Sequence, residues 1–288
     1  MQPYHLMKRE KIMIDEKKVE QHYSQGSIID LILSGIKNMG KTIENINIYD
    51  LSPVDEFHIG GLKATQNLIN KLNIDSSYHV LDIGCGIGGP SRYTAETFKC
   101  KMTGIDLTKE YIEVGNKITE WVSLSEMITL LHASALSIPF ENNQFDTAYM
   151  MHVGMNIKEK KELTDEIYRV LKPGALFGIY DVMMTSNNNL TYPLPWAENK
   201  DTSEVNTPEY YKKCLSQSGF SILNEEDKRD FSIEYFENMI KKLKTDNTSP
   251  PLGTNILMGD NAKEKIKNAY KNIKAGLMAP HEIISIKA

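Results

Sequence analysis

Short apolar runs alternate with amphipathic stretches between residues 78 and 182. The runs are YHVLDI (78–83), KMTGID (101–106), MITLLHA (127–133), FDTAYMM (145–151) and ALFGIYDV (175–182). Each is brief and bounded by Gly, Pro, Asp or Asn, so they predict buried strands. Between them PSRYTAETF, YIEVGNKITEWV and KEKKELTDEIYRVL carry apolar residues at helical spacing. Alternation of this kind predicts a parallel sheet with helices on both faces. Asn156, with Glu159 three residues later, predicts a capping box for the helix that runs to about Leu171; Lys172-Pro-Gly174 predicts its end.

Outside that region the pattern is looser. Residues 1–50 are polar and helix-leaning, and Leu51-Ser-Pro53 breaks them. FHIGG (57–61) predicts a loop, and LKATQNLINKLNI a helix ending near Ile74. MTSNNNLTYPLPWAENKDTSEVNTPEY, rich in Asn and Pro, predicts an irregular excursion. A helix over Glu209–Ser218 and a strand beginning at Phe220 follow. Helices over Ile233–Leu243 and Ala262–Ile273 flank the turn-rich link TDNTSPPLGTN, and Pro280–Ile286 predicts a last strand. The expected division is an N-terminal helical lid segment (1–60), a core (61–228), a helical lid insertion (229–279) and a final core strand (280–288).

Composition narrows the function classes. The net charge of −5 argues against a general nucleic-acid binder, which needs a basic face. A 41% hydrophobic fraction allows a sizeable core. No apolar run approaches the roughly 18 residues of a membrane span, and the charged N-terminus has no signal-peptide core. Cys85, Cys100 and Cys214 are widely spaced, which fits a reducing cytoplasm and no metal cluster.

The sharpest local feature is VLDIGCGIGG (80–89), running out of a strand into a helix. Gly84 and Gly86 let the backbone turn tightly and let a ligand approach main-chain N–H groups. Gly84, Gly86 and Gly89 also satisfy G-x-G-x-x-G, so an NAD-dependent oxidoreductase is one alternative. Asp82, two residues before Gly84, would set like charge against a pyrophosphate. S-adenosylmethionine has no phosphates and carries a sulfonium and an ammonium, so an acid there suits it. Asp106, ending the next strand, can accept hydrogen bonds from two ribose hydroxyls. The plainer alternative is a structural glycine turn with two capping aspartates.

On these residues the sequence resembles the class I S-adenosylmethionine-dependent methyltransferases, in their small-molecule branch. VLDIGCGIGG looks like that family's first motif and TGIDLTKEYIEVG (103–115) its second. ASALSIPFENNQFD (133–146), FDTAYMMHVGMNI (145–157) and YRVLKPGALFGIYDV (168–182) are similar to the third, fourth and fifth. EFHIGGLKAT and YPLPWA resemble a subgroup that includes sarcosine and dimethylglycine N-methyltransferase-like proteins. The resemblance implies a Rossmann-like, doubly wound α/β fold whose seven-stranded, mostly parallel sheet has the order 3-2-1-4-5-7-6, with helical lid insertions. It implies S-adenosylmethionine as cofactor and S-adenosylhomocysteine as product; the cysteine usage adds the expectation of a cytoplasmic protein, and a monomer or homodimer is expected. It implies cofactor contacts from Asp82, Gly84, Cys85, Gly86, Asp106, Leu107, Ser134, Ala135 and Met151. Ala133 and Ser134 replace the Gly and Asp that are usual in the third motif, so the Ser134 hydroxyl, backbone or water would meet the adenine amino group.

Ligands of an open parallel sheet sit beyond the carboxyl ends of its strands. His152 directly follows the fourth run and is the first candidate for a polar contact or base; packing is its alternative. His58, in FHIGG, could close over the cofactor, and Asp181 could attract a cationic amine. Tyr23, Tyr180, Tyr192 and Trp196 are candidates for an acceptor pocket, through cation–π contacts or simple packing. The expected function is methyl transfer to a small molecule, foremost an amine nitrogen. O- or C-methylation of a small phenol or lipid, or cofactor binding without turnover, are the alternatives.

Overall fold

The computed structural model describes residues 2–24, 26–246, 250–259 and 261–288. Helices α1 (Gln2–Tyr23), α2 (Ile28–Asn38), α3 (Ile48–Asp55) and α4 (Gly61–Ile69) precede the first strand. There follow β1 (His79–Ile83), α5 (Gly89–Phe98), β2 (Lys101–Asp106), α6 (Lys109–Trp121), β3 (Ile128–His132) and β4 (Phe145–Met151). Then come α7 (Lys160–Val170), β5 (Leu171–Met184), α8 (Pro208–Ser218) and β6 (Phe220–Asp227). Helices α9 (Arg229–Asp246), α10 (Asn255–Met258) and α11 (Ala262–Lys274) lead to β7 (Met278–Lys287).

The seven strands form one sheet in the order β3-β2-β1-β4-β5-β7-β6, with β7 antiparallel to both neighbours. This is the Rossmann-like, doubly wound α/β fold expected above. Successive residues of each inner strand serve opposite faces, as the two-residue period requires. Leu81, Met150 and Ile179 pack beneath α7 and α8 with Leu163, Ile167 and Leu215. Val80, Tyr149 and Tyr180 pack with Leu68 of α4 and Tyr93 of α5. Because both faces are covered, these strands read as nearly continuous apolar runs.

Register then positions the site. Ile83 pairs with Ile105 on one side and Met150 on the other, and Met151 pairs with Tyr180. The ends of β1, β2, β4 and β5 therefore share one edge. The strand order reverses between β1 and β4, where a crevice is expected.

Three local expectations need correction. Helix α4 stops at Ile69 rather than near Ile74, because Lys71 and Leu72 close back onto Leu68 and Ile69 in tight turns and Asn73 takes φ +50°. The Asn156–Glu159 capping box does not form: Glu159 is itself the N-cap of α7, without a side-chain cap, and Asn156 bonds elsewhere. Lys172-Pro-Gly174 ends the helix but lies inside β5, where Gly174 (φ +79°) accompanies a register shift against Phe145 and Thr147. Residues 247–249 of the turn-rich link lie outside the described residues.

A buried ion pair ties the N-terminal helices to the core. Arg92 of α5 is fully buried; its guanidinium donates to Asp55 of α3 at 2.8 Å and to Thr119 of α6 at 3.2 Å. Burial pushes the Asp55 carboxyl up, against the pull of Arg92. Arg92→Met should destabilise the fold by about 3–5 kcal/mol, since it strands a buried carboxylate. Urea denaturation checks this, and Arg92→Met combined with Asp55→Leu should recover part of the loss.

Candidate functional site

A cavity of 570 Å³ opens at the shared strand edge. Its floor is the glycine loop. At Gly84 φ is +71°, and a Cβ there would lie 2.2 Å from Val153 Cγ2, so only glycine fits. At Gly86 φ is +55° and a Cβ would meet nothing within 4 Å, which leaves that backbone open to a ligand.

Two carboxylates flank the loop inside the cavity. Asp106 accepts the Gly86 N–H at 2.9 Å on one oxygen and the Thr108 N–H at 2.8 Å on the other. A carboxylate offers about four acceptor positions, so capacity for further donors remains. Burial pushes Asp106 up and the two backbone N–H groups hold it down; the net direction is upward. Asp82 accepts from Ser91 Oγ at 2.6 Å and Tyr149 O–H at 3.1 Å, both on Oδ2. Burial pushes its carboxyl up to about 7. Leu107, Ala135 and Met151 line the same space. Cys85 does too, with a buried thiol that burial holds well above the ordinary range, which suits packing rather than nucleophilic chemistry. Ser134 also lines the cavity, but its hydroxyl donates to Glu16 and accepts the Leu136 N–H.

Two histidines face this region together. His152 sits at the end of β4 with φ +55°, an uncommon conformation for a side-chain-bearing residue. Its N–H donates to the Tyr180 carbonyl at 2.8 Å, and its ring stacks on Tyr180 at 5.2 Å. Nε2 of His152 is buried with no hydrogen-bond partner. The His58 ring lies 5.9 Å from that of His152, and its Nε2 is within 3.1 Å of both the Gly61 carbonyl and Thr65 Oγ1. Burial lowers His58 to about 4, and burial with the neighbouring His58 holds His152 well below the usual imidazole range.

The roof comes from distant segments. Ile12, Glu16, Val19 and Tyr23 of α1 line the cavity at three- and four-residue spacing, one face of a helix. Tyr23 meets Asn156, whose Nδ2 lies 3.2 Å from the phenol oxygen. Its ring packs edge-on against Phe57 and tilted against Tyr111. Trp196 closes another side, buried, with its indole N–H donating to Ser203 at 3.0 Å. Among the described residues no cluster has the make-up of a metal site.

Three expected site residues lie elsewhere. Asp181 points away from the cavity toward α8: it accepts the Tyr211 O–H at 2.6 Å and the Val182 N–H at 3.0 Å, fully buried. Tyr180 is a backing residue behind His152, and its O–H donates to the Ile59 carbonyl at 2.9 Å. Tyr192 packs beside the Trp196 cluster without lining the cavity. Conversely, Tyr111 and Glu16 line it without having been singled out, and Asn156 lines it although it was read only as a helix cap. The buried Tyr111 hydroxyl lacks a partner. A helix face at 12, 16, 19 and 23 was the available signal for Glu16; nothing local marked Asn156 or Tyr111.

Comparison with known proteins adds a family match: residues 81–179 fit a family model described as a methyltransferase domain. The chain is 29% identical over 170 residues to sterol 24-C-methyltransferase erg6 of Schizosaccharomyces pombe, covering 57% of this chain and 45% of that one. It thus spans under half the length of that relative. Among solved structures, phosphoethanolamine N-methyltransferase 2 of Haemonchus contortus, in complex with S-adenosyl-L-methionine, superposes with a TM-score of 0.69 at 20% identity, over 88% of this chain and 59% of that one. A candidate sarcosine dimethylglycine methyltransferase from Galdieria sulphuraria gives 0.64 at 17% identity, over 85% and 93%. These structural likenesses concern the fold.

Tyr211→Phe should lower stability by about 1–3 kcal/mol, because it removes a donor from a buried carboxylate. Asp181 is already pushed up to about 6 by burial. Losing a donor to its ionised form raises that value further, so the variant's penalty should be larger at pH 7.5 than at pH 5. Urea titrations at the two pH values check the sign.

Proposed function

We propose that this chain, whose residues 81–179 match a methyltransferase domain, transfers a methyl group from S-adenosylmethionine to a small molecule. The observation that carries the reading is the pair of carboxylates, Asp82 and Asp106, on either side of an open glycine loop in one cavity. Asp106 would take the ribose hydroxyls and Asp82 the ammonium group, with Leu107, Ser134 and Ala135 around the adenine. Gly84, Gly86 and Cys85 form the floor and Met151 a wall. When bound, the cofactor supplies an electrophilic methyl group on a sulfonium. A dinucleotide fits less well, because its pyrophosphate at the glycine loop would meet Asp82, like charge against like.

An amine nitrogen is the acceptor the site supports best. His58 and His152 are neutral at physiological pH, so each can accept an N–H bond and aim a nitrogen lone pair. Burial holds both below the usual imidazole range, so they are weak bases, and the contribution expected of them is orientation. The N-methyltransferase neighbours by fold are consistent with this. Carbon methylation is the second reading, favoured by the sterol 24-C-methyltransferase relatives. Helix α1 and the α9–α11 segment act as a split lid over the acceptor, with Tyr23, Phe236 and Met239 at its inner surface.

Isothermal titration with S-adenosylhomocysteine tests the cofactor; a folded sample that binds none sinks the proposal. Asp106→Ala should weaken binding at least tenfold. A cation beside Asp82 favours its ionised form, so affinity should fall as pH drops below about 7, by up to tenfold per unit. Titrations between pH 5.5 and 7.5 read this, and Asp82→Asn should flatten the dependence.

His152→Ala should lower kcat/KM for methyl transfer by about 10–100-fold, whereas His152→Gln, which keeps an acceptor, should lose less. A mass-spectrometric assay with the first accepted amine measures both.

A further inference from the structure

The part of the cavity beyond the glycine loop has an uneven chemistry. Its wall is apolar: Phe57, Ile59, Met155, Trp196, Phe236 and Met239 come from four separate stretches of chain. Its outer rim is acidic. Glu159, Asp201 and Glu204 line it, as does Glu198, which is paired with Lys265 at 2.7 Å. The two lysines among the lining residues, Lys18 and Lys158, are both exposed, and Lys18 lies 3.7 Å from Asp15.

Recognition of phosphate, sulfonate or carboxylate needs fixed positive charge or an open array of donors. Among the described side chains no arginine lines the cavity. Arg92 is committed to Asp55, and Arg169 to Glu166 and to the carbonyls of Ile138 and Phe140. The N-terminus of α7 has Glu159, a lining residue, as its N-cap, so an anion there would meet a carboxylate. His58 and His152 are uncharged, and their burial keeps them so. Two lining residues carry a buried polar atom without a hydrogen-bond partner, His152 at Nε2 and Tyr111 at its hydroxyl, and neither atom bears a charge.

We infer that the acceptor is a mainly apolar small molecule carrying no phosphate, sulfonate or carboxylate, and that the acidic rim enforces this choice. The inference rests on the proposed function, since it concerns what shares the cavity with the cofactor. It separates this chain from a phosphoethanolamine or an amino-acid methyltransferase, whose acceptors bear such anions. Acceptors that are uncharged, or cationic where they meet the rim, satisfy it.

The test uses two dyes that differ by one group: N-phenyl-1-naphthylamine, which is neutral, and its 8-sulfonate. Each is titrated by fluorescence into the full chain saturated with S-adenosylhomocysteine. A Trp121→Phe background leaves Trp196 as the single tryptophan, so energy transfer from it is strongest for dye bound beside this cavity wall, and a Trp196→Phe control separates dye bound elsewhere. The neutral dye should bind at one site at least tenfold more tightly than the sulfonate. Equal or tighter binding of the sulfonate overturns the inference, as does failure of the neutral dye while S-adenosylhomocysteine binds. In an Asp201→Lys, Glu204→Lys variant the gap should shrink at least threefold with the neutral dye little changed. An unchanged gap overturns the role given to the rim. Failure of S-adenosylhomocysteine to bind would instead strike the proposed function.

Discussion

The alignment of four strand ends on one edge of the sheet is the constraint from which the site follows. Parallel register leaves no freedom here: once Ile83 pairs with both Ile105 and Met150, the residues that follow β1, β2 and β4 emerge side by side. Asp106 ends β2 and His152 follows β4, and the glycine loop must turn between them. Gly84 makes that turn directly under Val153, so the loop after β1 and the loop after β4 are one packed unit. A shift of one strand by a single residue would rotate these groups out of the crevice and bury the wrong face.

The same edge concentrates buried carboxyl groups. Asp82, Asp106 and Asp181 are each pushed above the ordinary range, in every case mainly by burial. Their partners differ, and so do the consequences. Asp181 is met by Tyr211 of α8 and by the Val182 and Gly154 N–H groups, so its hydrogen bonds are internal and it ties the loop after β4 to α8. Asp82 and Asp106 open onto the cavity and keep unused acceptor capacity. A ligand bearing a cation and hydroxyls would relieve what burial imposes on them, which turns a folding cost into selectivity.

Much of this was legible beforehand, for identifiable reasons. The inner strands were visible because both sheet faces are covered, which makes each an apolar run between breakers. Their order was not: periodicity carries no information on which strand neighbours which, and resemblance alone implied it. The start of β5 was missed because Lys172-Pro-Gly174 looks like an end, whereas the chain absorbs it as an irregularity within the strand. Asp82 and Asp106 were legible because the glycine loop and the next strand are local. Asp181 was misplaced for a local reason too. It follows Tyr180 by one residue, so the two face opposite sides of β5, and neither side is the cavity. Asn156 and Tyr23 lie 133 positions apart, and no pattern in either neighbourhood announces their hydrogen bond.

The histidines show how burial can move a residue type from one chemical role to another. An exposed imidazole near neutral pH is a competent base. Here His58 is lowered to about 4 and His152 also lies well below the ordinary value. Burial thereby favours the neutral ring at both positions. Methyl transfer demands alignment of nucleophile, carbon and sulfur more than it demands proton removal. Two neutral rings held by Tyr180, Thr65 and the Gly61 carbonyl can supply direction without placing a positive charge beside a sulfonium. If the chain binds S-adenosylmethionine as proposed, a protonated histidine at that position would repel the sulfonium, and the burial that weakens these side chains as bases also makes them compatible with it.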